Sequence, residues 1–409
     1  MFYGIDKTAR KVDDKMDFKK LKNCMDVIVQ KYNAPGVDCI VYKNHEMIFR
    51  YFTGMSDIEN NRKMNGNELY FIFSMTKMIT CTAALQLFEQ GKYLMNDSVS
   101  KYLPEFKEMK ISADESDNEN AGQITTGSIM GESAQYTQKG FAKNQITIKD
   151  LFTMSAGLDY VLSDDAITNA LSEGKKSTRE LVGAMAEKVL GFEPGTRFRY
   201  SLCHDVLGAL IEVWSGQKLG EYMKEHIFEP LNMNNTFFGI PKDEEKLAKM
   251  AARYIYDENR KPKRLPLECV YNLSEEYESG GAGLTSCTED YALFLDALAC
   301  GGIGKNGRRI LTPEIVELMG TNHLKGRQVD DFYRLRPGYG YGLGVRTHID
   351  KSQSGSISPI GEFGWDGAAG AFSLVDTKNK LSLTYFQHIH GWDIRIQTEI
   401  RNALYECID

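Results

Sequence analysis

Tyr70-Phe71-Ile72-Phe73-Ser74-Met75-Thr76-Lys77 is an apolar run that ends on a serine, with a lysine three positions later. The next residues, Met78, Ile79, Cys81, Ala83, Ala84, Leu85, Leu87 and Phe88, are apolar on most faces of a helix. They predict a buried helix from Met75 to Gln90, stopped at Gly91-Lys92. Ser74 then stands at the head of that helix and Lys77 shares its face, because positions i and i+3 are neighbours. A lysine in such apolar surroundings loses proton affinity and can act as a base toward the hydroxyl. The helix N-terminus adds a field that favours a developing oxyanion. Alone, Ser-x-x-Lys is a common chance pattern, equally readable as a capping serine with a solvated lysine. The apolar flanks argue against that reading.

Upstream, Phe18, Leu21, Met25 and Ile28 recur at helical spacing up to Asn33-Ala34-Pro35-Gly36. Val37 to Tyr42 and Met47 to Phe52 read as strands around the turn Lys43-Asn44-His45-Glu46. Downstream, Val206, Leu207, Leu210, Ile211 and Trp214 mark a helix closed by Gly216, and Tyr291 to Ala299 mark another. Ala371 to Asp376 and Leu381 to His388 read as strands around Thr377-Lys378-Asn379-Lys380. A last helix follows Asp393, with Ile396, Ile400, Ala403, Leu404 and Cys407 on one face. A two-stranded hairpin is marginal alone. The two ends therefore complete one antiparallel sheet flanked by the terminal helices, with the middle as a helical insertion: an α+β fold. The expected division is a sheet domain, 16–72 plus 305–409, and a mainly helical domain, 73–304. Within the latter, 112–145 lacks an apolar period and reads as a surface excursion, order resuming at Ile146.

The chain has 409 residues, 42% of them apolar and 26% charged, with a net charge of −7. These values exclude global disorder, a collagen-like chain and a coiled-coil rod. The acidic balance offers no footprint for nucleic acid or an anionic membrane. No apolar stretch is long enough for a membrane span, and Met1 to Lys20 is charged, with no signal-type apolar region. The eight cysteines are scattered, without Cys-x-x-Cys or metal-type pairing with histidine, so buried free thiols in a reducing cytoplasm are expected. There is no Gly-x-Ser-x-Gly, no His-Glu-x-x-His and no phosphate-binding loop. No cofactor or metal is expected.

Two further stretches make the serine–lysine pair specific. Glu193-Pro194-Gly195-Thr196-Arg197-Phe198-Arg199-Tyr200-Ser201 leads into the helix with Trp214, and Gly364-Trp365-Asp366-Gly367-Ala368-Ala369-Gly370 leads into the strand from Ala371. Together with Ile146 to Leu158, Glu229 to Met233, Gly280 to Leu284 and Gly338 to Gly344, they resemble the serine β-lactamase-related family. That family comprises class C β-lactamases, D-alanyl-D-alanine carboxypeptidases, D-aminopeptidases and family VIII-type esterases. The resemblance runs from about Ile28 to His388 and implies the β-lactamase/transpeptidase-like fold.

Carried over, the resemblance makes Ser74 the nucleophile, Lys77 its partner and Tyr200 the family's motif tyrosine. Tyr200 is expected beside Lys77, where a cation would favour phenolate. The backbone N–H groups of Ser74 and Ala368 would form the oxyanion hole. Trp365, Asp366 and Gly367 occupy the third motif, on the substrate side. The chain departs from the β-lactam-cleaving pattern twice. Tyr200-Ser201-Leu202 lacks the motif asparagine, a place Cys203 or His204 is a candidate to fill. Trp365-Asp366 replaces the cation that attracts an anionic substrate. The expectation is a serine hydrolase acting on a neutral ester or small amide, with a lactam as the less favoured substrate. The alternatives are a β-lactamase or D-alanyl-D-alanine peptidase, and a non-catalytic binding protein of the same fold.

Overall fold

The computed structural model describes residues 16–112 and 138–408. The charged N-terminal stretch before residue 16, and residues 113–137 of the expected excursion, lie outside them. The excursion's flanks are regular: Lys110–Ser112 pairs antiparallel with Gln138–Phe141. Regular structure is thus already present at Gln138, ahead of the expected Ile146. This strand is mostly exposed, so no apolar alternation announces it.

Both ends of the chain build the main sheet. α1 (Lys19–Lys31) precedes β1 (Gly36–Lys43), β2 (Glu46–Asp57) and β3 (Arg62–Lys63). The buried helix α2 (Thr76–Glu89) follows, then α3 (Cys203–Ser215), α4 (Thr288–Ala299) and α5 (Arg327–Leu335). The chain returns as β4 (Tyr339–Tyr341), β5 (Arg346–His348), β6 (Phe363–Gly364), β7 (Phe372–Asp376) and β8 (Leu381–Phe386), and closes with α6 (Arg395–Ile408). The sheet order is β4-β5-β6-β7-β8-β1-β2-β3, with every neighbour antiparallel. The central pairing, β1 with β8, joins Asp38–Lys43 to Leu381–Phe386.

The alternation of β1 explains its cover. Val37, Cys39 and Val41 face a cluster holding Leu21, Met25 and Ile28 of α1 and Ile396, Ile400 and Leu404 of α6. Ile40 and Tyr42 face Ala292 of α4. Successive strand residues point to opposite faces, so a strand buried throughout needs apolar partners on both. Thus α4, which falls on the helical side of the boundary expected at 304, packs on the sheet. A helix buried nearly all round does not announce which layer it joins.

Candidate active site

The stretch leading to Ser74 is placed by one short ladder. Tyr70 and Phe71 pair with Ser286 and Thr285, and Ile72 N–H donates to Leu284 O at 3.1 Å. The chain then turns abruptly at Phe73, whose φ is +47°. A left-handed bulky residue is strained, and such strain persists where the surroundings over-determine it. Phe73 is fully packed, with Tyr271 and His390 edge-on to its ring at 6.1 and 5.2 Å. Ser74 follows at the head of α2, nearly buried at 7% exposed.

Lys77 is wholly buried. Its Nζ lies 3.4 Å from Ser74 Oγ, 3.0 Å from Tyr160 Oη and 2.7 Å from Gly281 O. Burial pulls its pKa down to about 7, against the opposing pull of Asp205. Near neutral pH the amine is therefore about half unprotonated and able to accept a proton. A side chain at Gly281 would crowd this cluster: a Cβ would lie 2.5 Å from Asp205 Oδ2 and 3.0 Å from Tyr160 Oη, so one of them would have to shift.

Tyr200 sits just before α3, bonded to Ser74 and accepting from Trp365 Nε1 at 3.3 Å. Lys77 Nζ lies 4.6 Å from the centre of its ring. The expected drift toward phenolate does not occur. Burial raises the Tyr200 pKa above its ordinary value, opposed only in part by these hydrogen bonds. Desolvation of the oxyanion outweighs those bonds, and the nearby carboxylates of Asp366 and Asp205 push the same way.

Sequence reasoning missed Tyr160. It stacks on Tyr200 (5.4 Å between centroids, 6° between planes), and Tyr200 stacks on Trp365 (5.6 Å, 23°). Tyr271 meets Tyr160 edge-on. Tyr160 lies 83 residues from Lys77 in sequence, with no motif to mark it. Its loop is pinned by Lys188, whose buried Nζ bonds Asp159 at 2.9 Å, Val161 O at 2.9 Å and Asp164. Lys77 thus takes its oxygen contacts from Tyr160 and Gly281, where the family pattern places an asparagine amide. Ser201 turns instead toward Cys203 Sγ at 3.1 Å.

The structure does not bring His204 into the cleft. Its ring is fully buried, with Nε2 3.6 Å from Cys81 Sγ and 3.5 Å from Phe152 O, and burial drives its pKa well below the usual histidine range. Asp366 is neither on the solvent side nor turned to substrate. Its carboxylate is buried in ion pairs with Arg336, just past the end of α5, and, at 3.6 Å, with Arg346 of β5. Trp365, by contrast, meets Tyr200 and, edge-on, Tyr341. The alternation of an extended backbone sends consecutive residues to opposite sides.

Gly367 lies where a Cβ would come within 2.7 Å of Ile72 O. Only glycine lets the third-motif turn approach the nucleophile stretch so closely, which brings Ala368 beside the Ser74 turn. The Ala368 carbonyl accepts from Trp392 Nε1 at 3.2 Å, anchoring that turn from the other side. Among the described residues, no helix is long and apolar enough to cross a membrane.

Three comparisons agree with this architecture. The family model described as Beta-lactamase matches residues 10–404. Esterase EstB of Burkholderia gladioli is 24% identical over 429 residues, covering 98% of each chain. Protein Rv1367c of Mycobacterium tuberculosis is 27% identical over 366 residues, covering 86% of each. Among solved structures, EstCE1, described as a hydrolase with promiscuous acyltransferase activity, superposes with a TM-score of 0.75 at 25% identity. It covers 95% of this chain and 98% of its own.

Proposed function

The chain belongs to the beta-lactamase family, and on that premise we propose that it is a serine hydrolase cleaving a neutral ester or small amide through an acyl-enzyme on Ser74. The observation that carries this reading is Lys77: a buried amine with a pKa near 7, within reach of the Ser74 hydroxyl. Unprotonated Lys77 takes the Ser74 proton as Oγ attacks the carbonyl carbon. The tetrahedral oxyanion is held by the N–H groups of Ser74 and Ala368. Tyr200, protonated and bonded to Ser74, hands a proton to the leaving alkoxide or amine and recovers one through Lys77. Water then attacks the acyl carbon by the reverse relay. The free thiols favour a reducing, cytoplasmic setting.

The wall of the cleft supports the substrate class. Tyr160, Tyr200, Tyr271 and Trp365 surround the serine–lysine pair, and Trp365 stands where β-lactam-cleaving relatives carry a cation. Asp366 spends its charge on two arginines, so repulsion from it is not what disfavours an anion. Desolvation is: a carboxylate laid against this wall loses water without gaining a partner. A short-chain aryl ester is therefore expected to exceed its ω-carboxylate analogue in kcat/KM by tens-fold or more. That ratio should barely change between low and high salt, whereas a Coulombic preference would be screened. Turnover of the ester and mass addition at Ser74, with slow or no nitrocefin hydrolysis, is the expected pattern. Faster turnover of nitrocefin than of every ester would favour the lactamase alternative. No turnover of any ester, amide or lactam would favour the binding-protein alternative.

The same reading sets a pH dependence. Lys77 works as a base only when unprotonated, and its pKa is lowered to about 7. The kcat/KM of a neutral ester should rise about tenfold per pH unit below that point and level off above it. A profile flat from pH 5 to 9 would remove Lys77 from the role of base.

A further inference from the structure

The turn between β1 and β2 carries a side chain that the turn itself does not need. Its two central residues, Asn44 and His45, have φ of +51° and +69°, and Lys43 pairs with Glu46 across them. A two-residue turn of this hand favours Asn-Gly, since glycine takes positive φ at no steric cost. Here histidine stands in the glycine's place and its ring turns onto α4. Nδ1 lies 2.8 Å from Asp296 Oδ2, and the His45 backbone N–H donates to Oδ1 at 3.1 Å. One helical turn further, Cys300 Sγ lies 3.8 Å from the same Oδ1. The Asp296 carboxylate is buried, while His45 and Cys300 are each partly open to solvent. One donor atom from each of the three falls within 4.8 Å of the other two. None of the contacts of Ser74, Lys77 or Tyr200 described above involves these residues.

We propose that His45, Asp296 and Cys300 form a binding site for one borderline-soft divalent cation, of which Zn²⁺ is the type, clasping the β1–β2 turn to the end of α4. The donor set is the first argument. An imidazole nitrogen, a carboxylate and a thiol suit Zn²⁺, while Ca²⁺ and Mg²⁺ require oxygen-rich shells of about six or more ligands. The dimensions are the second. Bonds of about 2.0–2.3 Å set the ligand atoms of a tetrahedral ion about 3.3–3.8 Å apart. The observed 2.8 Å from His45 Nδ1 to Oδ2 and 3.8 Å from Cys300 Sγ to Oδ1, with one donor atom of each residue within 4.8 Å of the others, need shifts of about one ångström or less. Asp296 and Cys300, at i and i+4, present their donors on one helix face, and water completes the fourth position. The cysteine spacing could not show this, because the histidine arrives from 251 residues away in sequence. On binding, the thiol gives its proton to solvent and the Nδ1 and carboxylate lone pairs enter the coordination shell.

Metal-stripped full-length protein is titrated with Zn²⁺ against a chromophoric chelator, and separately with Co²⁺, whose thiolate bond gives a near-ultraviolet charge-transfer band. One equivalent per chain and the band are expected. Cys300→Ser should lose the band and weaken Zn²⁺ binding at least about tenfold. His45→Gly should weaken it similarly, and because it supplies the Asn-Gly turn it tests ligation without removing what the hairpin needs. Failure of the wild type to take up one equivalent overturns the proposal. So does an unchanged affinity in both variants, which would leave His45–Asp296 as a plain ion pair holding the turn. Ester turnover is measured separately and depends on neither outcome.

Discussion

Ser74→Ala is expected to abolish fluorophosphonate labelling and to lower ester turnover by about 10⁴-fold or more. The size of the effect follows from the mechanism. Without Oγ no acyl-enzyme forms, and only binding and the oxyanion donors remain to accelerate direct attack by water. The local structure should survive, because alanine is smaller than serine and the Phe73 backbone is held by its own packing. Peptide mapping after labelling, with kcat for the same ester, measures both arms. A label on another serine with Ser74 unmodified would end the acyl-enzyme assignment, as would turnover that survives the substitution.

Lys77→Met is expected to lower kcat by about 10²–10⁴-fold, the range for loss of a general base, while the fold persists. Two stability terms oppose one another. An apolar isostere removes the cost of a buried amine, but it leaves Gly281 O and Tyr160 Oη without the donor now at 2.7 and 3.0 Å. An unpaired buried carbonyl costs about 1–3 kcal/mol, and some of that is returned by better burial. The melting temperature should therefore move by only a few degrees in a chain of this size. The informative result is the separation of the two readouts. Collapse of the fold with the activity would make Lys77 a structural residue, and near-wild-type kcat would refute its role as base.

The parts of the site legible in the sequence are those written locally. Ser74 and Lys77 sit three apart where a 3₁₀ turn, Phe73–Met75, runs straight into α2, so their meeting depends only on that short helical stretch being formed and buried. The strands at the two ends were readable as runs bounded by turn residues, and the marginality of a lone hairpin predicted their union. Contacts made by topology were not readable. Tyr160 reaches Lys77 through a loop pinned by Lys188, and no local pattern links residues 77, 160 and 188. The side of the chain to which Asp366 points is set by Arg336, which caps the end of α5, and Arg346 of β5. The ionisation of Tyr200 was misjudged for a related reason: the adjacent cation was visible in the motif, but the burial that outweighs it is a property of the finished core.

The pairing of β1 with β8 has a consequence for how the molecule is made. The ribosome delivers β1 first and its central neighbour last, with roughly 340 residues between them, about 17–70 s at 5–20 residues per second. Throughout that interval the N-terminal hairpin waits with one edge of β1 unpaired; α1 is already available for one face, but α4, which covers the other, emerges only about 240 residues later and α6 last of all. The nascent chain thus carries an aggregation-prone edge for most of its synthesis, and the final few dozen residues close it.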